Sequence, residues 1–370
     1  MPLKFWSPAS PETLPKLNHP TSRQRRSMLE CMPKWLICVP LTVQWLLLAL
    51  KYRSFTLPTV ANPGITAGGL VGEGKLEYFD QMGPLARSAT APYCAISTRN
   101  LPGAGDICKV MLAEGLSFPV IAKPDLGLCG YGVRLIANSA ELQAYLKAFP
   151  ANEKVVLQQW LPQEGEAGIF YVREPHAAHG RIIGLTLRYF PRVTGDGKST
   201  IAELIFADPR ARRLVSSAQH DSNFDPERVP VAGELVRLAT IGSTRVGGLY
   251  RDGGAFITGQ LTQAIDAIAR DLPSFHFGRF DVRFENLQDL SLGIGLKIME
   301  INGAGSEAIQ AWDPDTRVMD GFRMIFEKQR ILFAIGHAMR ERGFKPIGLW
   351  ALMQLNRRQL RLIARYPASN

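Results

Sequence analysis

A chain of 370 residues, 46% hydrophobic and 21% charged, holds enough apolar material for a sizeable core, and its length allows two or three domains; a disordered chain is excluded. The net charge of +10 is unevenly spread: residues 1–53 carry eight Lys/Arg against two acids and residues 323–370 ten against two, so the ends supply +6 and +8 and residues 54–322 carry −4. That distribution is not the uniformly basic face of a nucleic-acid binder, and no nucleic-acid partner is expected. The five cysteines (Cys31, Cys38, Cys94, Cys108, Cys129) are odd in number and form no C-x-x-C pair. A disulfide framework and a zinc site are thereby excluded, and a reducing cytosol is expected.

In chain order, residues 1–30 hold Pro and basic residues without periodicity and read as a flexible leader. Trp35–Leu50, WLICVPLTVQWLLLAL, is an apolar run of sixteen residues, shorter than the roughly 20 that span a bilayer. RQRR precedes it, Lys51 and Arg53 follow, and no small-residue cleavage site appears. An interfacial or hairpin-like anchor and a buried core helix both suit it better than a full span. Residues 53–75 are rich in Gly and Pro and read as loop. Helices are expected over Leu76–Met82 and Gly105–Leu116, with a strand at Tyr93–Ile96 between them. Phe118–Ala122 and Val133–Ala137 read as strands around a glycine loop, Pro124–Gly132, and Ser139 as the cap of a helix over Ala140–Ala148. Further strands are expected at Val155–Trp160, Gly168–Arg173 and Ile182–Phe190, and helices from Thr200 to Ile205 and over Leu261–Leu272. Residues 348–367 interleave Leu352, Leu355, Leu362 and Ile363 with Arg357, Arg358, Arg361 and Arg365. Such a basic amphipathic helix either lies on an anionic membrane surface or packs on the body with its basic face solvated. The irregular alternation of strands and helices reads as α+β.

The densest chemistry lies in GRFDVRFENLQDLSLGIGLKIMEINGAGSE, Gly278 to Glu307. Phe280, Val282 and Phe284 alternate with Arg279, Asp281 and Arg283, so a strand puts the charged set on one face. In the run Ile294–Ile301, Met299 and Ile301 take one face while Glu300 and Asn302 project from the other. Paired as a hairpin, the two strands gather Asp281, Glu300 and Asn302 into an oxygen-rich cluster that needs a cation. Upstream, FPVIAKPDLGLCGYGV sets Lys123 at a strand end, before Gly127, Gly130 and Gly132. Glycines let backbone N–H groups approach an anion, but G-x-x-G-x-G is neither the dinucleotide fingerprint nor a Walker A motif, and a plain glycine turn explains it equally. VTGDGKST (193–200) ends like a P-loop, yet Arg192 stands where that loop needs its first glycine. It reads as a tight turn with Thr200 capping the next helix. His176 and His179 sit in a loop and are not read as metal ligands.

Taken in order, the strand-Lys-Pro with its glycine loop, VLQQWLPQEGEAGI (156–169) and GRFDV…KIMEINGAGSE resemble the ATP-grasp superfamily, in particular D-alanine–D-alanine ligases and, through VTGDGKSTIAELI, cyanophycin synthetases. The resemblance covers Phe118 to Glu307. It implies an ATP-grasp fold of two α+β subdomains (117–162 and 163–322), preceded by a basic leader and anchor-like segment (1–54) and an N-terminal subdomain (55–116), and followed by basic amphipathic helices (323–370). It implies that Lys123 contacts the α- and β-phosphates, that Gly127, Gly130 and Gly132 close over the β- and γ-phosphates, and that Gln159, Trp160 and Leu161 face adenine with Glu166 on the ribose. Asp281, Glu300 and Asn302 would hold one or two Mg²⁺, or Mn²⁺, ions. Arg279 would steady the transferring phosphoryl group, Ser306 would lie near the acyl intermediate, and Lys198 and Lys75 are looser carry-overs. The implied activity is an ATP- and Mg²⁺-dependent carboxylate–amine ligase working through an acyl-phosphate on small-molecule carboxylate and amine substrates. Two other readings keep the same fold: a phosphotransferase to a hydroxyl group and a non-catalytic membrane-surface adaptor. One departure stands out, because residues 1–74 lack the compact α/β domain with which these ligases usually begin. The expected location is the cytoplasm, with attachment to the cytoplasmic face of a membrane; the sequence carries no signal of oligomeric state.

Overall fold

The computed structural model describes residues 26–216 and 224–370. Most of the expected flexible leader lies outside the described residues. The first elements are α1 (Met28–Cys31), α2 (Lys34–Tyr52), α3 (Lys75–Phe79) and α4 (Pro84–Ala89). Next come β1 (Tyr93–Ser97), α5 (Ala104–Ala113), β2 (Val120–Pro124), β3 (Arg134–Ile136), α6 (Ser139–Ala148) and β4 (Lys154–Gln159). The four strands form one antiparallel sheet in the order β1-β4-β2-β3. Ile96, Val120 and Leu157 of that sheet pack with Ile107 and Met111 of α5 and Leu142 of α6. The cap of α6 is Asn138, whose side chain accepts from the Glu141 N–H, so the expected cap Ser139 is instead the first helical residue.

A second set follows: β5 (Gly165–Val172), β6 (Arg181–Tyr189), β7 (Arg192–Thr194), α7 (Ile201–Ala207), α8 (Arg212–Ser216), β8 (Leu235–Arg237), β9 (Leu249–Asp252), α9 (Gly259–Arg270), β10 (Phe277–Phe284), α10 (Leu287–Leu292) and β11 (Lys297–Asn302). Five of these strands make an antiparallel sheet in the order β11-β10-β5-β6-β9. Thr200 caps α7 through a reciprocal capping box with Glu203, as the sequence predicts. The β10–β11 connection holds α10, capped by Asn286 and ended by the left-handed Gly293, where a simple hairpin loop is expected. One face of the five-stranded sheet buries Ala167, Ile169, Phe280 and Val282 against Leu261 and Ile265 of α9. The chain ends in α11 (Val318–Glu341) and α12 (Leu349–Ile363).

The opposite face is covered at one end only. There Phe170, Val172 and Phe277 pack with Leu332 and Phe333 of α11, Leu48 and Ala49 of α2, and Leu57 and Val60 from the segment after α2. The expected boundaries change accordingly. Residues 55–116 are no separate subdomain, since β1 pairs with β4 while Leu57 and Leu76 join the cores of the larger sheet. The expected boundary at 322/323 falls inside α11. The architecture is α+β, two larger antiparallel sheets with helices on their faces and a two-stranded antiparallel pair of β7 and β8.

Candidate functional site

The uncovered end of that face carries the charged residues of β10. Cross-strand register sets them in rows. Asn302, Arg279 and Phe170 align across β11, β10 and β5; Glu300, Asp281, Gly168 and Thr186 align in the next row across β11, β10, β5 and β6; Arg283, Glu166, Arg188 and Tyr250 align in the third, across β10, β5, β6 and β9. A register shift after Asp281 restores the pairing of Val282 with Ile298, so Met299 is the extra residue. Asp281, Glu300 and Asn302 are thus brought together as the period-two pattern predicts.

What surrounds them was not legible from that pattern. Asp281 receives Arg279 through Nε at 2.6 Å and Nη2 at 3.0 Å, and Arg188 Nη1 at 3.2 Å. The Asn302 amide donates to the same carboxylate at 3.4 Å. Arg188 also reaches Glu166 at 2.9 Å, and Arg283 meets Glu166 at 3.3 Å. Gly168 makes this network fit: a Cβ there would lie 3.0 Å from Arg279 Cδ and 3.3 Å from Asp281 Oδ1. Glu166 therefore has both carboxylate oxygens facing arginines. Thr186 Oγ1 and Arg188 Nε are buried on this face without a hydrogen-bond partner among the described residues.

Two lysines complete the cluster from other elements. Lys75, at the start of α3, pairs with Glu300 at 3.1 Å and lies beside the glycine loop, where a Cβ on Gly127 would come within 2.8 Å of its Nζ. Lys123, at the end of β2, is buried and donates to Gln158 Oε1 at 2.6 Å and to the Met299 carbonyl at 2.8 Å. Burial pushes the Lys123 ammonium down to about 7, against the pull of Glu300. Burial alone would raise the Glu300 carboxyl, but Lys75 and Lys123 beside it hold it at about 2. Glu73, two residues before Lys75, is lifted by burial to about 7, with its own backbone N–H and Lys75 opposing the rise. Lys75, Arg188, Arg279 and Arg283 are four cations against three carboxylates, Glu166, Asp281 and Glu300, while Lys123 and Glu73 each titrate at about 7. A net positive site set among buried side chains favours an anionic ligand.

The glycine loop is held from two sides. Gln359 of α12 accepts from the Gly72 N–H at 3.2 Å and donates to the Gly127 carbonyl at 3.1 Å, and Tyr366 Oη donates to the Leu126 carbonyl at 2.6 Å. Arg245 donates to the Cys129 and Gly130 carbonyls, each at 3.3 Å. Gly130 and Gly132 have φ of +75° and +73°, which only glycine adopts without strain. The segment after α2 reaches the turn that follows β11: the Ala304 and Gly305 N–H groups donate to the Gly68 and Gly69 carbonyls at 3.1 and 2.6 Å. Asn62 locks it in place with four bonds, donating to the Gly68 and Phe277 carbonyls and accepting from the His276 and Phe277 N–H groups.

The remaining expected residues fall elsewhere. Gln159 and Trp160 lead out of β4 with Leu161 buried behind them, and the Trp160 ring lies 5.7 Å from the Arg237 guanidinium and 5.9 Å from that of Arg283. Ser306 turns its hydroxyl onto the Asn302 and Gly303 carbonyls, closing the turn after β11. Lys198 is exposed on the turn before α7, where Asp196 accepts its backbone N–H, and no ion pair joins its ammonium to the described cluster. His179 faces Asp266 at 3.0 Å. Arg188, Arg283 and Glu73 were missed by the sequence reading. The one signal was Arg188, a lone charge late in the apolar strand LTLRY.

The donor set bears on the expected metal. Among the described residues no group of three or more His, Cys, Asp or Glu is disposed around a common point. Two facing carboxylates and an amide suit Mg²⁺, which keeps several waters and shares its ligands with substrate phosphates.

No family model and no curated protein matches the chain. Solved structures with partial likeness include a D-alanine–D-alanine ligase from Bacillus anthracis, 13% identical over 75% of this chain and 71% of that one, with a TM-score of 0.41. The VanG D-Ala:D-Ser ligase from Enterococcus faecalis is also 13% identical, over 72% of this chain and 62% of that one, at 0.40. A bifunctional glutathione synthetase from Pasteurella multocida is 13% identical over 73% of this chain, at 0.37. The match spans 39% of that synthetase's length.

Proposed function

We propose that the chain is an ATP-grasp enzyme, an ATP- and Mg²⁺-dependent ligase that joins a carboxylate to an amine through an acyl-phosphate. The observation that carries the reading is the pairing of Asp281 with Glu300 on a sheet face that also gathers Lys75, Lys123, Arg188 and Arg279. Phosphoryl transfer asks little covalent chemistry of a protein; it needs positioning and neutralisation of developing charge. Lys123 and Lys75 would face the nucleotide phosphates beneath the loop Gly127–Gly132, and the strand exit Gln159–Leu161 would receive the adenine. Asp281, Glu300 and Asn302 would hold Mg²⁺ arriving with the nucleotide, whose contribution is to neutralise phosphate charge. Arg279 and Arg188 lie next to Asp281, where they would stabilise the equatorial oxygens of the transferring group. No side-chain nucleophile is required, because the attacking group is the substrate carboxylate.

The experiment is ADP release by the full chain, screened over amino acids, peptides and amine-bearing lipid precursors, with hydroxylamine present. Carboxylate-dependent ADP release with hydroxamate formation supports the ligase. ADP release with a phosphorylated hydroxyl product and no hydroxamate identifies a phosphotransferase instead. No ATP binding at all would leave only the non-catalytic adaptor.

A further inference from the structure

Helix α2 has two apolar sides, and α11 takes only one. Ile37, Leu48 and Ala49 face the protein, Gln44 Nε2 donates to the Phe326 carbonyl at 2.7 Å, and the Trp45 ring meets Phe333 edge-on at 4.9 Å. The other side carries Trp35, Leu36, Val39, Val43, Leu46, Leu47 and Leu50, all exposed, with Trp35 at 67%, Leu47 at 61% and Leu50 at 68%. They share one face of a helix of roughly 3.6 residues per turn. Met28 and Phe55 extend the patch beyond both ends of the helix, at 68% and 52% exposure. Soluble monomers rarely leave so long an apolar stripe bare.

Within residues 26–55 the exposed charge has one sign. Arg26, Lys34, Lys51 and Arg53 are all exposed. The one acid in residues 26–55 is Glu30, and it is withdrawn into the protein, paired with Arg210 at 2.8 Å and Arg213 at 3.0 Å. We propose that the outer face of α2 rests in the interface of an anionic lipid bilayer, with the helix axis along the membrane plane. An apolar stripe framed by exposed cations complements acyl chains beneath anionic headgroups. The helix lies on the membrane and does not cross it, because spanning would strip Gln44 and Trp45 from α11 and expose that side to lipid. Of the apolar residues of α12, Leu362 and Ile363 lie in the core of the four-stranded sheet and Leu355 packs over Gly72.

Flotation of the full chain with phosphatidylcholine vesicles, with and without phosphatidylserine, tests this. The wild type is expected to float with the mixed vesicles and to be released by alkaline carbonate. A Val43→Glu, Leu47→Glu double variant should lose about tenfold or more of the bound fraction without a shift in melting temperature, since both side chains point away from α11. A second variant, Lys34→Glu with Lys51→Glu, should lose the preference for phosphatidylserine while keeping the apolar face. Retention through alkaline carbonate would show a spanning helix and overturn the proposal. So would a wild type that ignores both vesicles but forms a dimer that Val43→Glu, Leu47→Glu dissociates, because a second copy would then cover the face.

Discussion

Asp281 and Glu300 stand opposite each other across β10 and β11, yet each is held by cations: Asp281 by Arg279 of its own strand and Arg188 of β6, Glu300 by Lys75 of α3. Their environments differ sharply. The Asp281 side chain is 4% exposed and that of Glu300 34%.

That difference separates the two neutralising variants. Asp281→Asn leaves Arg279 and Arg188 buried with one partner fewer, and breaking such a pair costs on the order of 3 kcal/mol. Glu300→Gln removes the carboxylate that faces Lys75 at 3.1 Å, so it should lower the melting temperature too, but by less, because Glu300 is the more exposed of the two acids. Both should slow phosphoryl transfer on the order of 10²-fold or more. Thermal melts beside turnover at limiting Mg²⁺ check the pattern. Equal melting temperatures with wild-type turnover in either variant would remove the metal assignment.

Lys123 gives the site a proton linkage. Its ammonium is pushed by burial to about 7, below the ordinary lysine value, so the folded protein holds fewer protons at Lys123 than the unfolded chain between pH 7 and the unfolded value. Its contribution to stability therefore rises with pH across that window, and below pH 7 the penalty for burying the charge is fully present. Lys123→Met should flatten this part of the stability profile. Phosphate oxygens favour the charged form, so ATP binding at pH 7 to 8 should take up protons. Calorimetry in buffers of different ionisation enthalpy measures the uptake, and Lys123→Ala should abolish it while weakening ATP far more than adenosine.

Gly168 is a steric test of the ion network. A Cβ there would meet Ile309 Cδ1 at 2.9 Å and Arg279 Cδ at 3.0 Å. Gly168→Ala should cost about 1–3 kcal/mol. It should also lower kcat by displacing Arg279 from Asp281. A variant with wild-type kcat would show that the Arg279–Asp281 geometry is not needed for turnover.

Lys75 holds down the pKa of Glu300, which lies near 2 in the folded state. Stability from this pair is present above the usual glutamate value and is lost as pH falls toward 2. Lys75→Met should raise the Glu300 pKa and move the acid limb of the activity profile upward. An unmoved limb would place Lys75 outside the site.

The charged face of β10 was legible because a strand alternates faces with a period of two, and Thr200 because a capping box is a local chemical pattern; in β11 the bulge at Met299 breaks that alternation and turns its sulfur onto Arg283 at 3.2 Å, not to the Ile301 face where the sequence sets it. What failed was non-local. Arg188 and Arg283 reach Glu166 and Asp281 only through strand order, which no window of sequence contains. Basic amphipathic helices were expected over 323–370, but the start of α11 at Val318 was not, because Gly321 interrupts the pattern there. Further along α11, Gly336 is required because the Leu57 backbone passes so close that a Cβ would lie 2.7 Å from its carbonyl. In α12 the apolar residues occupy two sides, Leu349, Trp350, Met353 and Leu360 outward and Leu362 and Ile363 inward, and amphipathic spacing cannot say which side the body takes.

The acyl-phosphate is the centre of the account, and oxygen-18 reports on it directly. With the carboxylate substrate labelled in both oxygens, attack on the γ-phosphate and displacement by the amine must carry one labelled oxygen into each phosphate released. Phosphorus NMR of the products should show singly labelled inorganic phosphate in step with amide and ADP. Amide formed alongside unlabelled phosphate would contradict the acyl-phosphate route.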